Sequence, residues 1–389
     1  MKRMVLLATL TLCLAACNTE TMKVTEMKPI PDAAYAKGVS APFCGVVGDV
    51  LVVAGGANFP DKSLLEGGAK RVYADIWVLE SGDWVHAGVL PDSTAYGATF
   101  AVDDALILAG GNVCGAPTDK VYELKLRDGA AVLRALPPLP VPMEQCGWTR
   151  DGDRLYLVGG VGTTGVYACT IGSYEWIKLA DLPEPLVQPV AFASGDKLFV
   201  WGGFNPETLE VSDKGIVMKI SPLALLGRND KEDLPTDPSG ISSGAEGGVE
   251  KSPWCETAPI PDGGTFVGAT GATLPDGRLA VVGGVNRAIF TRALRNTPED
   301  RIMYLSQEPA AYQFRHAVYA FDPTTETWAL LGSSPACALA GPGVAASGAA
   351  SGAISDTDSV TASGANALFV AGGELKPGVR SPKIFKLTW

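Results

Sequence analysis

Histidine is almost missing from this chain, which has two, His86 and His316, in 389 residues. Neither has a second His, a Cys or a carboxylate at metal-ligand spacing, so a His-rich metal centre is excluded and no metal is expected. Both histidines read as structural, and the scarcity also argues against a copper oxidase. Cations are in deficit too: 31 Lys and Arg stand against 42 Asp and Glu, a net charge of −11. Without a basic footprint the protein is a poor partner for phosphate backbones, so nucleic acid is excluded. An anionic ligand would need a local positive patch working against the global field. Cys-x-x-Cys pairs are absent, which removes zinc ribbons and thioredoxin-like redox work. No long helical period is present either.

The first residues indicate the compartment. "MKRMVLLATLTLCLAAC" places Lys2 and Arg3 before an apolar run from Met4 to Ala16. That run is too short to span a bilayer and reads as a secretory signal. It ends in Leu14-Ala15-Ala16-Cys17, which resembles the bacterial lipoprotein cleavage box. The expectation is a signal peptide over 1–16 and a lipid on Cys17. The protein would then be exported and anchored to the envelope, at the outer membrane facing the periplasm. Cleavage would leave 29 Lys and Arg against 42 Asp and Glu, a net charge of −13. Six cysteines follow: Cys44, Cys114, Cys146, Cys169, Cys255 and Cys337. Export permits disulfides, but the similar placement of Cys44 and Cys146 suits buried thiols equally well.

What the chain does have is a repeat. Apolar strands run into Gly-Gly six times: "LVVAGGAN", "LILAGGNV", "LYLVGGVG", "LFVWGGFN", "LAVVGGVN" and "LFVAGGEL". The early intervals are near the roughly 50 residues of a kelch repeat. Each pair leads to a strand with an aromatic residue and often a later Trp, as in "VYADIWVLESGDWVHAGVLP". Short strands punctuated by Gly and Pro make the chain all-β, and the tandem repeat predicts a six-bladed kelch-type β-propeller. The last blade lacks an outer strand after "KIFKLTW", and "MKVTEMKPIPD" near the N-terminus is the expected replacement. Such a strand closes the ring and removes open edges. One domain over 17–389 is therefore expected, with insertions near 228–252, 287–315 and 343–365. The middle insertion could hold a short helix, "TPEDRIMYL".

A Gly-Gly bend displays the residue beyond it at the mouth of the ring. Those positions are Asn58, Asn112, Gly162, Asn205, Asn286 and Glu374. The amides suit a polyhydroxylated ligand, and Asn also favours left-handed turns for local reasons alone. Asn58, Asn205, Asn286 and the adjacent Arg287 are the candidate substrate-binding residues. "GGELKPGVR" differs from the other turns by adding a carboxylate and an Arg. Pro377-Gly378 fits a type II turn that would return Arg380 toward Glu374. The candidate catalytic pair is Glu374 as acid/base and Arg380 as a carboxylate clamp, against the plainer reading of a solvated ion pair.

The chain resembles the sialic acid mutarotases, the N-acetylneuraminate epimerases of the kelch class, in cyclically permuted order. "GVSAPFCGVVGDVLVVAGGANFP" is similar to a late segment of the unpermuted enzymes. "FVGATGATLPDGRLAVVGGVNRAIF" and "LFVAGGELKPGVRSPKIFKL" are similar to middle segments. Glu374 and Arg380 fall on the acidic residue and arginine of the family's Gly-Glu-x-Lys-Pro-Gly-x-Arg run. Two family arginines are missing: "PLVQP" keeps Gln188 without its Arg, and Ser93-Thr94-Ala95-Tyr96-Gly97 lacks the other. The resemblance implies interconversion of the α and β anomers of free sialic acid by ring opening. Glu374 would be the base, Arg380 would hold the substrate carboxylate or polarise the anomeric centre, and no cofactor is required. The alternative is a propeller that only binds glycans or proteins. A sialidase is disfavoured because its Ser-x-Asp-x-Gly-x-x-Trp repeats are absent.

Overall fold

The computed structural model describes residues 22–220, 252–347 and 367–389. The signal segment, Cys17, nearly all of the 228–252 insertion and most of the 343–365 insertion lie outside the described residues.

Apolar alternation and Gly-Gly punctuation yield six antiparallel sheets, five of four strands and one of five. The inner strands are Phe43–Val47, Ala98–Val102, Gly147–Asp151, Val187–Ser194, Ala269–Thr273 and Gly343–Ala346. They stand side by side in sequence order, and Gly343–Ala346 returns to Phe43–Val47, which makes a six-bladed propeller. The sixth blade is completed by Lys23–Met27, which pairs with Ile384–Thr388 from Lys23 opposite Thr388 to Met27 opposite Ile384. The N-terminal strand thus supplies the outer edge that the C-terminal blade lacks.

The core sits between blades, where strand faces of neighbours meet. Leu106 and Leu108 of the second blade pack with Val52 and Ile76 of the first. An aromatic cluster of Phe192, Phe199, Trp201, Phe266 and Phe321 joins the fourth and fifth blades. Phe199 and Trp201 stack at 5.5 Å.

All twelve residues of the Gly-Gly pairs have positive φ. A side chain at Gly372 would place its Cβ 2.2 Å from the Val39 carbonyl oxygen, so both conformation and space require glycine there.

The middle insertion contains two helices, α1 (Arg287–Ala293) and α2 (Pro298–Ser306). α2 is the helix expected from "TPEDRIMYL". Thr297 and Asp300 form its capping box and Pro298 occupies its first turn. α1 was not foreseen, because seven residues hold too little periodicity to read. Asn286 caps it by accepting from the Ile289 N–H. No helix among the described residues is long and apolar enough to cross a membrane.

Candidate functional site

After the last Gly-Gly the chain forms a two-stranded ribbon, Glu374–Lys376 against Val379–Arg380, that sets Glu374 opposite Arg380. Gly378 turns it with φ +84°, the value a type II turn needs at that position. The Gly378 N–H donates to Glu374 Oε1 at 2.9 Å. Arg380 donates to the same oxygen through Nη1. No hydrogen bond to Glu374 Oε2 is made by the described residues. The main chain of Glu374 is held by a reciprocal pair of bonds to Ala340, 2.7 and 2.9 Å. One carboxylate oxygen is therefore tied to the ribbon while the other has no hydrogen-bond partner among the described residues.

The two side chains face different spaces. Glu374, a quarter exposed, lines a cavity of about 180 Å³ at the mouth of the central channel. Arg380 is 3% exposed in its side chain. It borders a separate cavity with Asn58 and Phe59, donates through Nε to the Ala57 carbonyl at 3.2 Å, and lies 5.4 Å over the Phe59 ring. The expected turn brings the pair together, but Arg380 stands behind Glu374 rather than beside it on the channel.

The channel mouth has an order of its own. Just before or within the start of each inner strand lies one residue with left-handed φ: Ala41, Tyr96, Gln145, Gln188, Gly268 and Gly341. Their main chains link blade to blade. Ala41 donates to Gly341 at 2.7 Å, Tyr96 to Ala41 at 3.0 Å, Gln145 to Tyr96 at 2.9 Å, Gln188 to Gln145 at 2.8 Å and Gly341 to Gly268 at 2.7 Å. All six line the same cavity as Glu374. Gln188 Nε2 donates to Gln145 Oε1 at 2.7 Å, so the two amides form one polar edge. Tyr96 accepts from Lys70 Nζ at 3.2 Å. In the sequence Tyr96 and Gln188 stand out only by the arginines missing beside them, and Gln145 has no such neighbour motif. Their signal is positional: a long side chain where strained φ favours Gly or Asn.

Cys44 and Cys146 also line this cavity. Burial pushes both thiols up to about 12, which keeps them protonated and poor nucleophiles. All six described cysteines are free thiols. Tyr304 and Tyr312, from the insertion, are held as phenols chiefly by burial, with the Glu374 charge acting in the same direction.

The asparagines of the Gly-Gly turns are largely occupied in the scaffold. Asn58 is 1% exposed. Its Nδ2 donates to the Ala34 and Gly38 carbonyls at 3.0 and 2.8 Å, and its Oδ1 accepts from Tyr73 at 2.8 Å. Asn205, also buried, donates to Glu184 and caps the turn at Glu207 and Thr208. Asn112 donates to Glu144. None of these three has the left-handed φ of a local turn; their amides are instead taken up by hydrogen bonds to other segments of the scaffold. Asn286 and Arg287 instead border a cavity of about 1360 Å³ beside α1. There Asn286 donates to Gln313 at 3.3 Å and Arg287 pairs with Asp213 at 2.6 Å. His86 bonds Asp75 and His316 bonds Ser333. Among the described residues no three His, Cys, Asp or Glu side chains are grouped to hold a metal.

A family model for N-acetylneuraminate epimerase matches residues 7–133. The similarity is to N-acetylneuraminate epimerases. The curated N-acetylneuraminate epimerase of Brucella melitensis biotype 1 is 25% identical over 263 residues, covering 64% of this chain and 57% of the relative. That of Vibrio vulnificus is 36% identical over 134 residues, 30% of this chain and 35% of the relative. The chain thus spans about half the length or less of these epimerases. The solved structure of YjhT superposes with a TM-score of 0.45 and 21% identity, covering 64% of each chain. The span matched by the epimerase family model precedes Glu374 and Arg380.

Proposed function

We propose that this protein interconverts the α and β anomers of a free sialic acid, with Glu374 as the proton-transfer group. The observation that carries the reading is the asymmetry of Glu374, whose Oε1 is fixed by Gly378 and Arg380 while its side chain lines the channel cavity. The similarity to N-acetylneuraminate epimerases supplies the substrate class.

A sialic acid is a 2-keto acid closed to a cyclic hemiketal. Oε2 of Glu374 takes the proton of the anomeric hydroxyl. The bond between the anomeric carbon and the ring oxygen breaks, a carbonyl forms, and the ring oxygen receives a proton from Glu374 directly or through water. Rotation of the keto end and closure by the reverse steps place the new hydroxyl on the other face. No net proton, electron or group is gained or lost. Arg380 acts here through Glu374, holding the carboxylate in one orientation, because its own guanidinium is covered. Gln145, Gln188 and Tyr96 offer amide and phenol contacts to the sugar hydroxyls at the same mouth.

Proton NMR of freshly released α-N-acetylneuraminate tests this. Wild-type protein is expected to speed formation of the β anomer, and Glu374→Gln to reduce the catalysed rate by about 10²–10⁴-fold with the fold intact. A folded wild type that leaves the spontaneous rate unchanged sinks the reading and favours a propeller that only binds. The location we propose is the periplasmic side of the outer membrane, through a lipid on Cys17. Cys17→Ser should release the protein from the membrane fraction, and retention would refute the anchor.

A further inference from the structure

Among the described residues no Lys or Arg lines the channel cavity: Lys70 stands outside it on the Tyr96 hydroxyl, Arg380 is turned away, and the two family arginines are absent. A cation of suitable geometry stands next door. Arg315 lines the 1360 Å³ cavity together with Asn286, Arg287 and Arg295. That cavity shares Val285 with the channel cavity, and Leu375, the neighbour of Glu374, lines its wall.

Arg315 is 10% exposed in its side chain. Its guanidinium carbon lies 5.4 Å from the ring centres of both Phe266 and Tyr319, which fix its plane. Nη1 donates to Asp262 Oδ1 at 3.0 Å, and Asp262 is steadied in turn by the Tyr319 hydroxyl on Oδ2 at 3.1 Å. Asp262 holds this position with a left-handed φ of +60°. Gly264 admits the guanidinium so closely that a Cβ there would lie 1.7 Å from Nη1. After all this support, Nε and Nη2 are buried without a hydrogen-bond partner among the described residues.

Buried N–H donors are rarely left unpaired, because the lost solvation is not recovered. Nε and Nη2 also form the side-on edge of a guanidinium, the one that meets both oxygens of a carboxylate in parallel. A site whose plane is clamped, whose third nitrogen is satisfied and whose buried side-on edge lacks a hydrogen-bond partner among the described residues is preorganised for one planar anion. We propose that Arg315 is a carboxylate-binding residue, and that the cavity beside α1 receives the acid group of a sugar acid whose ring extends toward Glu374. Both nitrogens are closed to solvent in this state, so entry requires a local shift of the cavity wall. The direction in which the sugar points rests on the reading of Glu374 above; capture of the carboxylate at Arg315 does not.

Titration calorimetry with N-acetylneuraminate and with its neutral methyl ester separates the two. Wild-type protein is expected to bind the acid at least about tenfold more tightly than the ester. Arg315→Gln should remove that preference, and Arg315→Lys, which keeps the charge without the side-on pair, should lose most of it. Equal affinities in the wild type, or an undiminished preference in either folded variant, overturn the proposal. In the wild type the Nε–H signal of Arg315 should shift with the acid and not with the ester, a readout that needs no variant; an unmoved signal at saturation counts against the site. Acid preference at Arg315 without mutarotation would keep this site and discard the role of Glu374. Mutarotation with no acid preference would do the opposite.

Discussion

The Nε of Arg380 donates to the carbonyl of Ala57 across 323 positions of sequence, while Nη1 of the same side chain holds Glu374. One buried guanidinium therefore ties the last blade to the first and orients the candidate base.

Removing it should expose both functions. Arg380→Met leaves the Ala57 carbonyl and the Glu374 carboxylate without their cation. Breaking a fully buried pair costs about 3–5 kcal/mol; with Glu374 a quarter exposed, we expect about 2–3 kcal/mol in urea unfolding. Adding Glu374→Gln to Arg380→Met should recover part of the loss, since no uncompensated charge remains. A change below about 0.5 kcal/mol, the size of an ordinary surface substitution, would show that the contact does not hold the blades.

Gln188 has φ +58°, where a non-glycine residue is strained by about 1–2 kcal/mol. Gln188→Gly relieves that strain but loses the amide bond to Gln145 and gains unfolded-state entropy. We expect stability within about 1 kcal/mol of wild type and a KM raised about 3–10-fold, one hydrogen bond's worth, with kcat little changed. An unchanged KM would make the amide edge structural.

The buried thiols predict an alkaline loss of stability. Cys44, Cys146 and Cys169 are each pushed by burial from 9.0 up to about 12. Between about pH 9 and 12 the unfolded chain releases these protons while the folded chain keeps them. Stability is therefore complete below pH 9 and falls as pH rises through that window, by about 1.4 kcal/mol per pH unit for each thiol. Cys44→Ser should flatten the slope in denaturant titrations at pH 8, 9 and 10. An identical slope would mean that other groups dominate.

Deleting residues 22–27 removes the strand that pairs with Ile384–Thr388 and leaves that strand as an open edge. The expected cost is on the order of 3 kcal/mol, at the upper end for a local change. It should appear as a lower Tm together with concentration-dependent association through the bare edge. A monomer with an unchanged Tm would show that the closing strand is dispensable.

The turn at Pro377-Gly378 was legible because Pro and Gly there restrict backbone angles locally, but the register of Glu374 opposite Arg380 depends on a shift between Glu374 and Lys376 that the hairpin's length does not set. The helix Pro298–Ser306 was legible through Thr297, Pro298 and Asp300, all within one turn. Asn58 shows the opposite case. Its residue type and position matched a display site, but its partners Ala34, Gly38 and Tyr73 come from separate segments, and only their convergence reveals that its polar atoms are engaged inside the protein. Gln145 is legible only by its position, because a long side chain in left-handed φ marks itself only once the equivalent positions of the other blades are aligned with it. Arg315 escapes such a reading because its surroundings, Asp262, Phe266 and Tyr319, lie on different strands and turns of one blade.

By itself, then, the sequence determined the six Gly-Gly bends, the antiparallel blades between them and the strand exchange that closes the ring, since these depend on periodicity and on conformations available within a few residues. Tertiary structure alone decided which side chains share the channel mouth, that Arg380 stands behind Glu374, and that Arg315 keeps an edge unpaired among the described residues. A propeller gathers one position from each blade around an axis, so residues tens to hundreds of positions apart become neighbours. That closeness depends on how the blades tilt and pack, which no local pattern encodes.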